Sequence, residues 1–500
     1  MTDVEAMLTE AVRRRGLGGV GVAIVRKGRR PEFTTVGLAD PVAGRPISPD
    51  TVFRIASITK TMTAIGVLQL RDEGLFDLDD PVNNYLKRLT VAPPRGGPEV
   101  TFRHLLTHTA GIGEMPSASD LPRRPVWGLG PPGTAAADLP ALYRGTLRAE
   151  VRAGSKWAYA NHGFALLGQL VEDISGQPLA EYMQEKVFGP LKMSSTEYRR
   201  TDRTAGQVAT GTHWILGRFR TVRDYDLTIF GAGAVLSSLN DMAAYAAWLS
   251  KGPTSRAAGV LKAATLNEMM TLQHTIDPRL PGLGLAFFLN QFGEHRVAGH
   301  DGNIPGFASA LLVAPDDGVG VVVLTNTASL FGANLLAARL LRSLLGVPEP
   351  ASALPQADLA SSPHLWSELE SAYAPAPGFL TNLRSWQMLG GEVQVVIKQR
   401  HLTLQALSPF RQVRRGLELH PTDADDPLRF AFEMDGLVVA VAFERSGSGD
   451  VDRLVIGRPV NGTFHRRPPW RSSRRRLRAA AGIAALALHR THRRRRRAAS

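Results

Sequence analysis

The sequence predicts an α+β protein: an antiparallel sheet flanked by helices, with a helical subdomain, followed by a small all-β barrel. Three observations carry this. A β-branched hairpin near the N-terminus, Gly19–Val25 and Phe33–Gly37, is matched much later by three successive strand-like runs. Those runs are Val297–Gly299, Phe307–Val313 and Val319–Leu324, each bounded by Gly- and Asp-rich turns. Beyond residue 355, six short strand candidates follow at close spacing, the pattern of a small barrel or sandwich. A chain of 500 residues is in any case too long for one ordinary core.

The elements follow in order. A short amphipathic helix begins near Asp3, and the hairpin turns at Lys27-Gly28-Arg29. Ser57–Glu73 carries Ile58, Met62, Ile65, Val67, Leu68 and Leu70 and ends at Gly74, so it reads as a buried helix with a glycine stop. Residues 75–200 read as helical and loop-rich, with helices at Phe102–Thr107 and Gly163–Ile174, and Asp241–Leu249 is another short helix. His300-Asp-Gly302 is expected to end a strand and open the turn Gly302–Gly306. A helix over Phe331–Leu345 closes the unit, and Pro348–Pro355 reads as a linker. The barrel strands are expected at Val393–Ile397, Leu402–Leu407, Gly416–His420, Phe430–Met434, Leu437–Phe443 and Arg453–Ile456. The domains expected are therefore 1–347, 356–465 and a tail, 466–500.

The formal net charge of +14 suggests a nucleic-acid or membrane partner until it is located. Thirteen arginines lie between Arg466 and Arg497 with no Asp, Glu or Lys among them, so residues 1–465 carry only +1. The charge belongs to the tail, which can make salt-dependent contact with polyanions or an anionic membrane surface; no specific nucleic acid is expected. Cysteine is absent, which excludes disulfides, thiolate metal sites and a cysteine nucleophile. The N-terminal residues lack the basic start and apolar run of an export signal, and no window is long enough to span a membrane. The expectation is a cytoplasmic protein.

Three short motifs carry chemistry. Ser57-Ile-Thr-Lys60 places a hydroxyl and an amine three apart on one helix face, beside the helix's own N–H groups. A serine needs an adjacent base to become a nucleophile, and a lysine in an apolar helix is costly unless used. Tyr159-Ala-Asn161 offers a phenol for proton transfer and an amide for hydrogen bonding. Each of these also has a plain structural reading: Tyr159 as packing, Asn161 as a helix cap. His300-Asp-Gly302 puts an imidazole beside a glycine that lets a ligand approach a strand edge. His104 and His108 are four apart, as zinc ligands can be, but no third ligand stands near them. No G-x-S-x-G elbow, P-loop or dinucleotide fingerprint is present, and neither a metal nor a cofactor is expected.

Taken together, Ser-x-x-Lys, Tyr-x-Asn and His-x-Gly in this order resemble the serine β-lactamase and penicillin-binding-protein family. The likeness is to its class C β-lactamase-related branch of D-alanyl-D-alanine carboxypeptidases, family VIII carboxylesterases and D-aminopeptidases. It runs over residues 1–345 through Phe53–Lys60, Phe102–Gly111, Tyr159–Gly168, Gly231–Ser237 and Gly299–Phe307. Residues 356–465 resemble, more loosely, the lipocalin-like barrel that often follows this domain.

The resemblance implies a β-lactamase/DD-peptidase-like fold and no cofactor. It implies that Ser57 becomes acylated, with Lys60 and Tyr159 sharing the proton work; which of them takes the first proton stays open. Asn161 would hold Lys60 and the substrate's acyl-side amide, with His300 and Gly302 lining the substrate strand. The N–H groups of Ser57 and Asn303 would form the oxyanion hole. Penicillin-recognising members carry Lys-Thr-Gly where this chain has His300-Asp-Gly302, and a neutral imidazole attracts a carboxylate less than an ammonium does. The expected activity is therefore that of a serine hydrolase of esterase or peptidase type on a small ester or amide. The alternatives are a penicillin-interacting β-lactamase or D-alanyl-D-alanine carboxypeptidase, and a non-catalytic binding protein of the same fold.

Overall fold

The computed structural model describes residues 2–117, 119, 128–134, 136–215, 218–250, 259–329, 332–348, 363–458 and 460–468. All of the linker expected at Pro348–Pro355 except Pro348, and all but the first three residues of the Arg-rich tail, lie outside them. The chain divides into two compact units, Met1–Ala351 with Gly378–Thr381, and Ser352–Pro377 with Asn382–Ser500.

The first unit is built on a seven-stranded antiparallel sheet. Its order is Phe288–Phe292, His295–Ile304, Phe307–Ala314, Val319–Thr325, Gly19–Arg26, Glu32–Asp40 and Arg45–Pro46. The strand Gly19–Arg26 is buried along almost its whole length because helices cover both faces. On one face Val20, Val22, Ala310, Leu312, Val321 and Val323 pack against Leu336, Leu340 and Leu341 of the helix Gly332–Leu344. On the other, the helix Leu239–Leu249 lies against Gly19–Arg26 and Val319–Thr325. Each buried Leu or Val contributes about 1.5–3 kcal/mol by leaving water, which makes this double-faced sheet the rigid reference for the site.

The N-terminal hairpin pairs as its pattern requires, Val20 opposite Val36 and Val22 opposite Thr34. The buried helix runs Thr59–Asp72 after a 3₁₀ turn at Ala56–Ile58, and Gly74 takes the left-handed backbone that stops it. Residues 75–200 hold the short helices Phe102–Leu106, Leu139–Leu142 and Leu179–Met183 around the longer Asn161–Ser175. The strand Phe288–Phe292 was not expected: its Asn290 and Gln291 interrupt the apolar run that marks a strand.

One expectation is corrected. His300, Asp301, Gly302 and Asn303 do not end a strand and open a turn; all four lie within His295–Ile304 and pair with Leu311, Ala310, Ser309 and Ala308. Glycine reads as turn punctuation in a sequence, yet here it keeps a strand free of side chain where another backbone crosses it.

The second unit is a nine-stranded antiparallel sheet that nearly closes on itself. Its order is Leu417–Glu418, His401–Ala406, Val393–Lys398, Ser371–Pro375, Gly462–Arg467, Val451–Ile456, Leu437–Arg445, Arg429–Met434 and His420–Pro421. The two edge strands are joined by Leu419 alone, so the sheet's ends meet in sequence and few edge groups stay unpaired. Inward Val393, Val395, Leu402, Leu404, Phe430, Phe432, Val439, Val441 and Phe443 fill it. Arg466 and Arg467, counted with the tail on composition, are strand residues opposite Tyr373 and Ala372. Backbone pairing tolerates arginine at an exposed strand position, which composition alone does not reveal. Among the described residues no helix is long and apolar enough to cross a membrane.

Candidate active site

Ser57 sits in the turn Ala56–Ile58, between the strand Val52–Arg54 and the helix Thr59–Asp72. Ala56, immediately before it, has a φ of 49°, a left-handed backbone that costs a residue with a Cβ roughly 1–3 kcal/mol. The turn is held in that shape from three sides. Ile55 N–H donates to Val235 O at 3.1 Å, Val235 N–H donates to Thr59 Oγ1 at 3.2 Å, and Ser309 Oγ donates to Ile55 O at 2.8 Å.

Lys60, the second residue of the helix Thr59–Asp72, is fully buried. Its Nζ reaches Ser57 Oγ at 2.9 Å, Asn161 Oδ1 at 2.8 Å and the carbonyl of Ala232 at 2.6 Å. Three acceptors match the three donors of an ammonium, and that is how a cationic side chain is accommodated without water. Asn161 is the first residue of the helix Asn161–Ser175 and does not cap it: Ala160 holds that position, with no side-chain cap bond. Its amide is committed to Lys60 instead.

Tyr159 lies in the loop before that helix, buried with Trp157, Leu283 and Phe288. The Lys60 Nζ is 4.9 Å from its ring centroid. His108, itself left-handed at φ 58°, stacks on the Tyr159 ring at 4.4 Å and accepts the Ala160 N–H on Nδ1 at 3.2 Å. His104 accepts the Thr101 N–H on Nδ1 and completes a capping box on the helix Phe102–Leu106. The two histidines, four apart in sequence, therefore have separate structural tasks. No group of three or more His, Asp or Glu among the described residues is arranged to hold a metal ion.

The strand His295–Ile304 closes the opposite side. His300 and Gly302, two apart, share its buried face, while Asn303 is exposed. A Cβ on Gly302 would stand 2.5 Å from Ile55 O, 2.5 Å from Ser309 Oγ and 2.8 Å from Ala56 Cβ. Only glycine lets the strand cross the Ser57 turn this closely. His300 Nδ1 lies 2.6 Å from the carbonyl of Asp301, which can only accept, so Nδ1 carries the proton. Its ring packs on Phe288 at 4.9 Å and faces Tyr159 at 6.3 Å.

The structure thus brings Ser57, Lys60 and Asn161 into one hydrogen-bonded group, with Tyr159 on the amine and Gly302 against the turn. Two participants were not singled out by sequence. Ala232 supplies a carbonyl, for which no side chain could have signalled. Arg54, only 2% exposed, sends Nη2 to Asp224 at 3.1 Å and Asp226 at 3.4 Å, and its guanidinium lies 4.8 Å from the Tyr225 ring centroid. Tyr225 in turn donates to the carbonyl of Pro305 at 2.7 Å, two residues past Asn303. An arginine in the apolar run Val52–Ile58 was the available signal.

Comparison with known proteins agrees with this architecture. Residues 4–345 match the family model described as Beta-lactamase. Esterase EstB of Burkholderia gladioli is 36% identical over 198 residues, 38% of this chain and 49% of that protein. The D-alanyl-D-alanine-carboxypeptidase/endopeptidase AmpH of Escherichia coli K12 is 26% identical over 327 residues, 63% of this chain and 81% of that protein. The chain spans about half the length of the Burkholderia esterase and of a Yersinia enterocolitica β-lactamase, 49% and 46%. The solved octameric penicillin-binding protein homologue from Pyrococcus abyssi superposes with a TM-score of 0.59 at 22% identity, covering 93% of this chain and 99% of that one. The fold is that of a β-lactamase/penicillin-binding-protein-like protein. The chain belongs to the Beta-lactamase family.

Proposed function

We propose that the chain is a serine hydrolase that cleaves a small ester or amide through an acyl-enzyme on Ser57. The observation that carries this is the Lys60 amine, bonded at once to Ser57 Oγ and Asn161 Oδ1 inside an apolar helix. In the first step the Ser57 Oγ–carbonyl carbon bond forms and the bond to the leaving alcohol or amine breaks. The Ser57 proton passes through Lys60 and Tyr159 to that leaving group. Water then attacks the acyl carbon, Ser57 regains its proton, and an acid is released. Asn161 orients Lys60 and the substrate's acyl-side amide. The N–H groups of Ser57 and Asn303 take the developing oxyanion, and Gly302 lets that strand lie close enough to the nucleophile for them to do so.

His300 favours an esterase or peptidase over a β-lactamase. With Nδ1 given to the Asp301 carbonyl, its ring offers at most one N–H to a substrate carboxylate, where an ammonium offers three. We assign the catalytic work to residues 1–347, the barrel to residues 356–467 and the arginine-rich tail to residues 468–500.

The test is a fluorophosphonate probe on the intact protein, followed by a panel of short-chain p-nitrophenyl esters, D-amino-acid amides and nitrocefin. An adduct on Ser57, absent from Ser57→Ala, with turnover of esters or D-amino-acid amides supports the proposal. Nitrocefin as the preferred substrate would move the assignment to a β-lactamase. No adduct and no turnover would leave a non-catalytic binding protein.

A further inference from the structure

We infer that the hairpin Thr212–Ile215/Arg218–Thr221 is a docking element for an anionic phospholipid surface. Trp214 and Phe219 stand opposite each other on its two strands, ring centroids 4.6 Å apart. They remain 48% and 42% exposed, so a paired aromatic ridge faces water. Leaving two such rings exposed forgoes burial that most solvent-facing hairpins have no reason to give up.

The surrounding charge identifies the partner. No Asp or Glu occurs between Asp202 and Asp224, a stretch that contains His213, Arg218, Arg220 and Arg223. All three of these arginines are exposed, and none is held in an ion pair among the described residues. The register sets Arg220 opposite His213 and Arg218 opposite Ile215, so the arginines alternate with the Trp214–Phe219 pair along the hairpin and leave from its other face. The indole rests on Gly16, where a Cβ would meet the ring at 2.6 Å. Gly16 directly follows Arg13-Arg14-Arg15, of which Arg13 is paired with Glu10.

Aromatic rings that prefer the headgroup boundary, bordered by arginines, fit a negatively charged bilayer surface. Half-exposed rings on a hairpin with exposed arginines suit a soft, charged interface, which needs no complementary groove. Peripheral binding becomes stable when two signals act together, and the eleven arginines beyond residue 467 give this chain a second basic segment.

The experiment is co-sedimentation of the full chain with vesicles of phosphatidylcholine alone or mixed with an equal part of phosphatidylserine. Expected are binding to the mixed vesicles, at least tenfold weaker binding to phosphatidylcholine, and a further loss of about tenfold in Trp214→Ser/Phe219→Ser. Arg218→Gln/Arg220→Gln should weaken binding to the mixed vesicles and leave the residual phosphatidylcholine binding unchanged. Thermal melting of the arginine variant should match the parent, since its altered side chains are exposed, and the aromatic variant should keep the parent's far-ultraviolet circular dichroism. Full binding by the aromatic double variant would assign all affinity to the arginine-rich segment and overturn the proposal. So would equal binding to both vesicles, no binding to either, or tighter binding to a single-stranded oligonucleotide that the same variant loses.

Discussion

Ser309 donates its hydroxyl proton to the carbonyl of Ile55 across 2.8 Å, which ties a sheet strand to the residue two before the nucleophile. The bond is buried and spans 254 positions in the chain, so it fixes the left-handed turn at Ala56 from the sheet side. Ser309→Ala removes it and leaves the Ile55 carbonyl, already short of solvent, with one partner fewer. We expect a stability loss of about 1–2 kcal/mol in urea unfolding. Ester hydrolysis should show kcat reduced several-fold with KM little changed, because the loss is in nucleophile positioning.

Gly302→Ala tests the same contact by filling it. The new methyl group would overlap the Ile55 carbonyl, Ser309 Oγ and Ala56 Cβ, two of them within 2.5 Å. The Ile55 carbonyl and Ala56 Cβ are fixed to the backbone and cannot retreat as the end of a flexible side chain could. The strand must move off the turn, and we expect kcat/KM to fall by about two orders of magnitude, since displacements near 1 Å carry that cost. Far-ultraviolet circular dichroism should stay that of the parent.

Arg54 is expected to matter for folding before catalysis. Its guanidinium faces Asp226, nearly as buried as itself, and Asp224 at the surface. Nη1 has no hydrogen-bond partner, so the pair is already imperfectly compensated. Arg54→Met strands the Asp226 carboxylate without its cation, and removing one partner of a buried pair costs about 3–5 kcal/mol. Calorimetry should show a melting temperature lower by several degrees. Arg54→Met/Asp226→Asn should recover much of the loss.

Lys156, three residues before Tyr159, gives a pH dependence. Burial lowers its amine to about 8, against the weaker upward pull of Glu150. A lysine lowered in the folded state binds its proton more tightly when unfolded. Stability therefore rises as pH increases from about 8 to the ordinary lysine value and is at its penalised level below 8. Lys156→Met should stabilise the protein at pH 7 by on the order of 2 kcal/mol, allowing for partial exposure, and remove the rise. Urea midpoints at pH 7 and pH 10 read both effects; parallel curves for parent and variant would contradict the assignment.

Much of the site was visible in the sequence because its parts obey local rules. The spacing of three brings Ser57 and Lys60 together, although Ser57 stands in the 3₁₀ turn just before the helix and not on it. Tyr159 and Asn161 stand where a loop enters a helix. The hairpin at Gly19–Asp40 followed from β-branched apolar runs and a glycine turn. What escaped was whatever depends on distant backbone. Gly302 looked like a turn residue because the reason for it, Ile55 and Ala56, lies some 250 positions away. Asn161 had a plain reading as a helix cap, yet its amide is spent on Lys60. The carbonyl of Ala232 carries no sequence signature at all. Ser371–Pro375 and Gly462–Arg467 were missed as strands because Ser-Ala-Tyr-Ala-Pro and Gly-Thr-Phe-His-Arg-Arg hold few β-branched residues, and they pair with one another from opposite ends of the barrel's sequence.

The order of strands in the first sheet bears on how the protein is made. Gly19–Arg26 takes Glu32–Asp40 on one edge within a few residues, but its other edge waits for Val319–Thr325. At 5–20 residues per second, a ribosome needs roughly 15 to 60 seconds to deliver that second partner. During that interval an apolar strand is in the cell with an open edge, and the nucleophile turn, which needs Ser309, has no fixed shape. The enzyme's birth should therefore depend on holdase chaperones binding near residues 19–26. Ribosome pausing before residue 325 should raise aggregation more than pausing after it.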